Sequence, residues 1–300
     1  MFFYAAVCIM FPVCMVDCGK YSPVLAPASR PETVIETATA ITAITVNLPH
    51  HLSKKEGFKI LNYEKNGDRA MSALAASRDK DDGIKLADRA INDYKNAIAI
   101  DAGNYVLVHK YCRVVEIKYN FLIPDDEREN ERLKVYADTL SMLEKIYPGD
   151  DNPVYADYDK ALFLVLNGQQ FNIFQVIGVV NRVYELCEKI YKTNPGFEDY
   201  SAEAALGRLN YLAPNIPFFI TWPDKRKSLD YLVESLKNNP GSFEIKYFLA
   251  DSLYALGEKD KAAVYYREVM EDAPRRDINY FEDNKVKRNC AVRMKELGVQ

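Results

Sequence analysis

Apolar and polar positions recur along this 300-residue chain on one ruler: a marked residue, then others four, seven and twelve positions later. The ruler appears five times, as Ala90–Tyr94–Ala97–Ala102, Tyr136–Leu140–Leu143–Pro148, Val183–Cys187–Ile190–Pro195, Ser228–Leu232–Ser235–Pro240 and Ala262–Tyr266–Val269–Pro274. Intervals of four and three place the first three side chains on one face of a helix. The fourth position, usually proline, falls where that helix must stop, because proline lacks the amide donor and clashes with the preceding turn. One such unit cannot bury its apolar stripe alone. Stacked units can, so the pattern predicts an all-α solenoid.

The last unit is the clearest. Between Phe243 and Pro274, Leu249, Ala250, Gly257, Ala262, Tyr266 and Pro274 stand at the signature positions of the tetratricopeptide repeat, a helix pair that this segment closely resembles. Small residues at Ala250 and Ala262 let two helices approach, and Gly257 suits the left-handed end of the first helix. The resemblance implies a right-handed helical-hairpin solenoid of degenerate tetratricopeptide repeats.

The earlier units are stretched. Ruler ends at 102, 148, 195, 240 and 274 give spacings of 46, 47, 45 and 34. The surplus is expected between the helices of a pair, as at Gln169 to Gly178. Tyr136 and Val183 are too large for the small-residue position they occupy, so packing there must differ. Tyr105 to Leu122 reads as one helix, stopped by Pro124-Asp125-Asp126. Ser53-Lys54-Lys55-Glu56 is a capping box that opens the folded body. Gly67 and Asp81-Asp82-Gly83 are read as breaks before the helix ending near Ile100. Ile278 to Leu297, apolar but heavily charged, predicts a terminal capping helix with a wet outer face, ended by Gly298.

Ahead of the body lie two other segments. Phe2 to Val16 is an apolar run containing Pro12, shorter than the roughly 18–20 residues a membrane span needs, and it suits the core of a signal peptide. Residues 1–18 are therefore read as a leader, 19–52 as a Ser-, Thr-, Pro- and Ala-rich tether, and 53–300 as the solenoid. Two processing sites compete: Ala26-Pro27-Ala28, and Cys18, which resembles the lipidated cysteine of bacterial lipoproteins. Asp17 stands where that motif carries a small residue. The expected location is the periplasm or cell envelope, with attachment to a membrane by a lipid anchor only; an uncleaved signal anchor would still leave the body outside the cytoplasm.

Composition narrows function by exclusion. Thirty-nine basic against forty-three acidic residues, a net charge of −4 and no basic run argue against a nucleic-acid surface. The six cysteines lack the paired spacing of a metal or redox motif. Cys112 and Cys187 are read as buried small hydrophobes. His50 and His51 lie in the tether and His109 on a helix, without the ligand spacing of a metal site. Acidic pairs such as Asp81-Asp82 and Asp150-Asp151 fall at helix ends, where they complement the helix dipole. No catalytic residue, metal or cofactor is assigned.

Binding faces are better motivated. The repeat resemblance implies an inner groove lined by the first helix of each pair: Glu244, Tyr247, Asp251 and Tyr254 in the last unit, and Tyr155, Tyr158, Leu162 and Val165 in the third. It lacks the Lys and Asn set with which chaperone-binding repeats hold a C-terminal carboxylate. A second candidate is the aromatic insertion Pro214 to Pro223, with Phe218, Phe219 and Trp222. Such a loop either folds over the core, the favoured reading, or meets a partner, ligand or second subunit. Asp224 is expected to cap the helix that follows.

Length, leader, stretched repeats and the Trp222-Pro223-Asp224-Lys225 opening of a repeat helix resemble the T component of TRAP transporters. That resemblance implies a non-catalytic periplasmic lipoprotein, assembled as a homo-oligomer around a pore, which passes small hydrophobic or organic-acid ligands to or from a substrate-binding protein. The alternative is an envelope scaffold that holds a peptide or partner protein in its groove.

Overall fold

The computed structural model describes residues 52–124 and 127–298. Within them run eleven α-helices: α1 Lys54–Ala76, α2 Lys80–Ile98, α3 Tyr105–Glu116, α4 Glu129–Ile146, α5 Val154–Leu166, α6 Ile173–Thr193, α7 Ser201–Leu212, α8 Lys225–Asn238, α9 Phe243–Ala255, α10 Lys259–Glu271 and α11 Tyr280–Leu297. A π-helical segment, Ile117–Leu122, continues α3, and a short 3-10 turn, Gly168–Gln170, follows α5. The leader, Cys18, both tether histidines and the tether before Leu52 lie outside the described residues.

Local chemistry sets the helix ends. Ser53 and Glu56 form the expected reciprocal box, with the Ser53 amide donating to Glu56 Oε2 at 2.8 Å and the Glu56 amide donating to Ser53 Oγ at 3.3 Å. Asp79, Asn104, Asp224 and Ser242 accept amide protons at the starts of α2, α3, α8 and α9. Gly257 (φ 84°) and Gly298 (φ 64°) supply left-handed residues after α9 and α11. Two expected breaks are not breaks. Gly67 lies inside α1, and Asp81 to Gly83 form the first turns of α2; the interruption is Ser77 to Asp79. Gly67 is small for a packing reason: a Cβ there would stand 2.5 Å from the Tyr94 ring on α2.

All fifteen helical ruler positions are buried. They are the inward stripes of α2, α4, α6, α8 and α10, the second helix of each pair. Consecutive helices pack as neighbours from α1·α2 to α10·α11, except that α3 makes its firmer contact with α5; α7 likewise touches α9, and α9 touches α11. This alternation is that of a helical-hairpin solenoid. The surplus length of the stretched units is distributed differently from expectation. Only the beginning of the segment Gln169 to Gly178 precedes α6, which starts at Ile173 and runs 21 residues against 13 for α10. With no proline between Gln169 and Gly178, nothing prevents the helix from starting early.

First helices of the later pairs are wrapped on every side. Ser201 to Asn210 of α7 and Phe243 to Leu253 of α9 are buried without interruption, charged residues included. Arg208, Lys246 and Asp251 are paired with opposite charges inside the protein, while Glu203 accepts the Gly196 amide at 2.9 Å. The Asp251 carboxylate accepts from Arg208 at 2.7 Å, Arg293 at 3.0 Å and Tyr266 at 2.6 Å, tying α7, α9, α10 and α11 together. These cations hold its carboxyl below the usual range although burial alone would raise it. A second network surrounds α3. His109 Nδ1 lies 2.9 Å from Asp159, Arg113 bonds Glu116 and lies 3.7 Å from Glu282 on α11, and Arg275 binds Asp283.

Candidate functional site

The groove residues read from the repeat resemblance fall into two groups. Glu244, Tyr247 and Asp251 are buried, and α11 packs onto their helix. Tyr254 is half-buried and donates its hydroxyl to the Leu297 carbonyl of α11 at 3.1 Å. The terminal helix thus occupies the face that the last repeat would offer to a peptide. Tyr155 and Tyr158 on α5 join an aromatic cluster with His109 and Phe197, Tyr155 also stacking on Tyr105 at 5.7 Å. Tyr158 is buried; Tyr155 is half-buried. Phe197 precedes three consecutive left-handed residues, Glu198, Asp199 and Tyr200 (φ 45°, 55° and 70°). That turn brings Glu198 to 3.8 Å from His109 Nε2.

His109, Cys112 and Asp159 share this neighbourhood, but the cysteine is fully buried, and burial together with the Asp159 carboxylate drives its thiol well up. A thiol kept protonated is not a nucleophile. Cys187 is likewise buried, its thiol pushed up to about 12 by burial. Among the described residues no group of three His, Cys, Asp or Glu side chains is placed to hold a metal ion.

The insertion between α7 and α8 divides into fixed feet and an exposed tip. Ile216 and Ile220 pair across it, amide to carbonyl at 2.8 and 2.9 Å, and the Phe219 amide closes a β-turn onto the Ile216 carbonyl at 3.0 Å. Ile220 is buried with Val176, Val180 and Ala213. Trp222 stacks on Tyr184 at 3.9 Å and donates its indole N–H to Asn181 Oδ1 at 2.8 Å; Asn181 Nδ2 donates in turn to the Phe219 carbonyl at 2.8 Å. Buried Asn210 accepts the Asp224 amide at 3.0 Å, fixing the start of α8. Trp222, Ile216 and Ile220 thus fold onto the helices as expected for most of the loop. The tip does not.

Phe218 is 97% exposed and Phe219 62% exposed. Phe218 has φ 69°, at the turn position where glycine or asparagine is normally required. A left-handed conformation costs a bulky residue roughly 1–2 kcal/mol. The chain therefore holds a large apolar side chain in water, on strained backbone, above a hydrogen-bonded base. No signal in the sequence distinguishes the tip from the feet, since both are apolar and flanked by proline.

A cavity of about 400 Å³ lies between the π-helical segment and α11. Its apolar wall includes Phe121, Leu122, Ile123 and Phe281, and its polar lining includes Lys80, Asn120, Lys285 and Arg288. A sequence reading could not assemble this site, because its halves are far apart in the chain. A second cavity of about 250 Å³, near Tyr147, Lys160 and Arg182, includes Glu144 and Asp150 in its wall.

No family model matches the chain, and no curated protein matches it. Among solved structures the chain is similar to the MamA protein, whose crystal structure aligns over 72% of this chain and 92% of that one, at 14% identity and a TM-score of 0.40.

Proposed function

We propose that this protein is a non-catalytic interaction scaffold of the cell envelope that docks a partner protein through the Phe218–Phe219 prong. The observation that carries the reading is the combination at Phe218 of full exposure, left-handed backbone and a rigid base. Strained backbone that persists on a well-determined support is characteristic of contact sites. An aromatic anchor already fixed in place loses little conformational freedom on binding, which favours affinity. The leader and tether, with Cys18 as the lipidation site, would hold the body near a membrane where that partner is met. The burial of Glu244, Tyr247 and Asp251 beside α11 further favours an external contact on the loop over one in the repeat groove.

The test is a photo-crosslinking amino acid placed at Phe218 in the full chain in its own cells, with Val233 on the exposed face of α8 as the reference position. Docking predicts one discrete protein adduct at 218 and none at 233. Adducts to lipid or to a second copy of the chain at 218, or identical adducts at both positions, would overturn it. Phe218→Gly removes the anchor and relieves the left-handed strain together, so the variant should fold at least as stably while losing the adduct.

A second reading is a ligand-handling accessory of a periplasmic TRAP-type transport system, as the T-component resemblance implies. The observation favouring it is the 400 Å³ cavity, whose size lies in the range of small-molecule sites. Native mass spectrometry of protein gently extracted from its membranes tests it. A homo-oligomer carrying a lipid mass at Cys18 and a retained small molecule supports this role; an unlipidated monomer with no retained ligand rules it out.

A further inference from the structure

Given the docking role proposed above, on which this reading rests, we infer that the partner receives the Phe218–Phe219 prong in an apolar pocket rimmed by carboxylates. Directly behind the loop, Lys225, Arg226 and Lys227 open α8, and all three are exposed. Among the described residues none of the three forms an ion pair. Asp224 beside them is committed to the helix, accepting the Arg226 and Lys227 amides at 2.8 and 3.3 Å, and offsets at most one of the charges. Asp230 stands one turn further along α8, away from the loop. Toward the prong there is no counter-charge: Ala204 to Pro223 contains no Asp or Glu, nor does Gln175 to Arg182, the part of α6 on which the loop rests. In a chain of net charge −4 this is a local field of opposite sign. Such a field steers and selects an acidic partner surface.

Folding does not account for the cluster. A helix N-terminus carries partial positive charge, so three cations in the first turn disfavour α8. Phe218 disfavours its turn in the same way, through its left-handed backbone. Two neighbouring features that each work against stability have a common explanation in a contact. They are also close enough to share one. The Phe219 carbonyl is held by Asn181 and the Asp224 amide by Asn210, so the link between prong and cluster is anchored at both ends. Six residues from Phe219 to Lys225 span at most about 20 Å. A standard protein interface covers about 800 Å² per partner, roughly 30 Å across, and takes in both. A bilayer would meet the same charges but has no fixed shape. It accepts an aromatic side chain in any orientation and leaves the strain at Phe218 without a purpose, whereas a shaped pocket is matched best by a ring held in one place.

The test is made on the full chain in its own cells, with the photo-crosslinking residue at Phe218, with and without Lys225→Glu/Arg226→Glu/Lys227→Glu. The replacements are at exposed positions and suit a helix N-terminus. The triple variant should therefore keep its circular dichroism spectrum and show an equal or higher melting temperature. An acidic rim predicts that the discrete protein adduct at 218 falls at least about tenfold in the triple variant, because like charges then face each other. Peptide mapping of the adduct should place the pocket beside a group of Asp or Glu residues on the partner. Changing those residues to Lys should restore the adduct with the triple variant. An undiminished adduct in the triple variant, a pocket without carboxylates at its rim, or failure of the reversed pair to regain the adduct would overturn the acidic partner and leave the docking role standing. Adducts to lipid alone, or no protein adduct with the wild-type charges, would overturn the docking role and the acidic partner together.

Discussion

Lys285 donates from its ammonium to both the carbonyl and the side-chain oxygen of Asn120, 3.0 Å each, across 165 residues of sequence. One hydrogen-bonded pair thereby joins the last helix of the solenoid to the end of its third. Arg113 and Glu282 add an ionic contact between the same two parts of the chain. In an open solenoid each unit touches only its neighbours. Here α11 also closes onto the π-helical segment, so the terminal repeats are coupled to the central ones.

Lys285→Met should therefore loosen α11 selectively. Loss of a charged hydrogen-bond donor to a buried acceptor costs about 1–3 kcal/mol, visible as a lower urea midpoint. Hydrogen exchange should accelerate in α11 and in Ile117 to Leu122 while α6 and α7 keep their protection. Uniform acceleration through all the helices would show that the contact is not local to this closure.

Asp251→Asn tests the other junction. Asp251 is buried and receives Arg208, Arg293 and Tyr266 together. Its replacement leaves the buried Arg208 without its countercharge, and breaking such a pair costs about 3–5 kcal/mol. The sign with pH follows from the depressed carboxyl. The wild-type stabilisation is present above the ordinary aspartate range and is lost as pH falls through the lower value in the folded protein. Chemical denaturation should find the variant much weaker than wild type at pH 7 and the difference shrinking below pH about 4. A gap that stays constant on acidification would assign the effect to packing rather than charge.

The architecture was legible because periodicity and proline punctuation report on local helix formation. Every helical residue of the five rulers is buried, including the large Tyr136 and Val183. Glycine was less informative. Gly67 reads as a breaker in sequence but sits within α1, because its smallness serves an approach to Tyr94 that only the fold defines. The groove residues were read from helix register, yet Asp251 and Tyr254 are engaged by α11, a long-range contact that no local spacing announces. The cavity between the π-helical segment and α11 depends on Asn120 meeting Lys285 and was invisible for the same reason.

Two glycines should respond in opposite directions to alanine. At Gly207 on α7 a Cβ would stand 2.5 Å from Leu232 Cγ on α8 and 3.2 Å from the Ser228 carbonyl. Gly207→Ala forces the two helices apart and should destabilise by about 1–3 kcal/mol, as overpacking does. At Gly178 inside α6 nothing lies within 4 Å of the added atom. Gly178→Ala should stabilise by about 0.5–1 kcal/mol through helix propensity alone. Thermal melts of the two variants decide it: equal shifts of the same sign would mean that the α7–α8 spacing is not set by Gly207.

The network around α3 gives the protein an alkaline weakness. Burial raises the Glu116 carboxyl to about 7, against the opposing pull of Arg113. Burial would lower His109, but the charge and hydrogen bond of Asp159, with Glu198 beyond, leave it raised. Both groups hold their protons more tightly folded than unfolded. Glu116 therefore contributes fully below its unfolded value of 4.5 and loses that contribution as pH rises through about 7. His109 contributes fully below its unfolded value of 6.5 and loses that as pH passes its raised folded value. Stability measured by urea denaturation should fall by about 1–3 kcal/mol between pH 5 and pH 8. Glu116→Gln keeps the shape and fixes the neutral state, so it should match wild type near pH 5 and exceed it at pH 8. A variant with the full wild-type pH slope would place the titration elsewhere and leave Glu116 ionised throughout as the partner of Arg113.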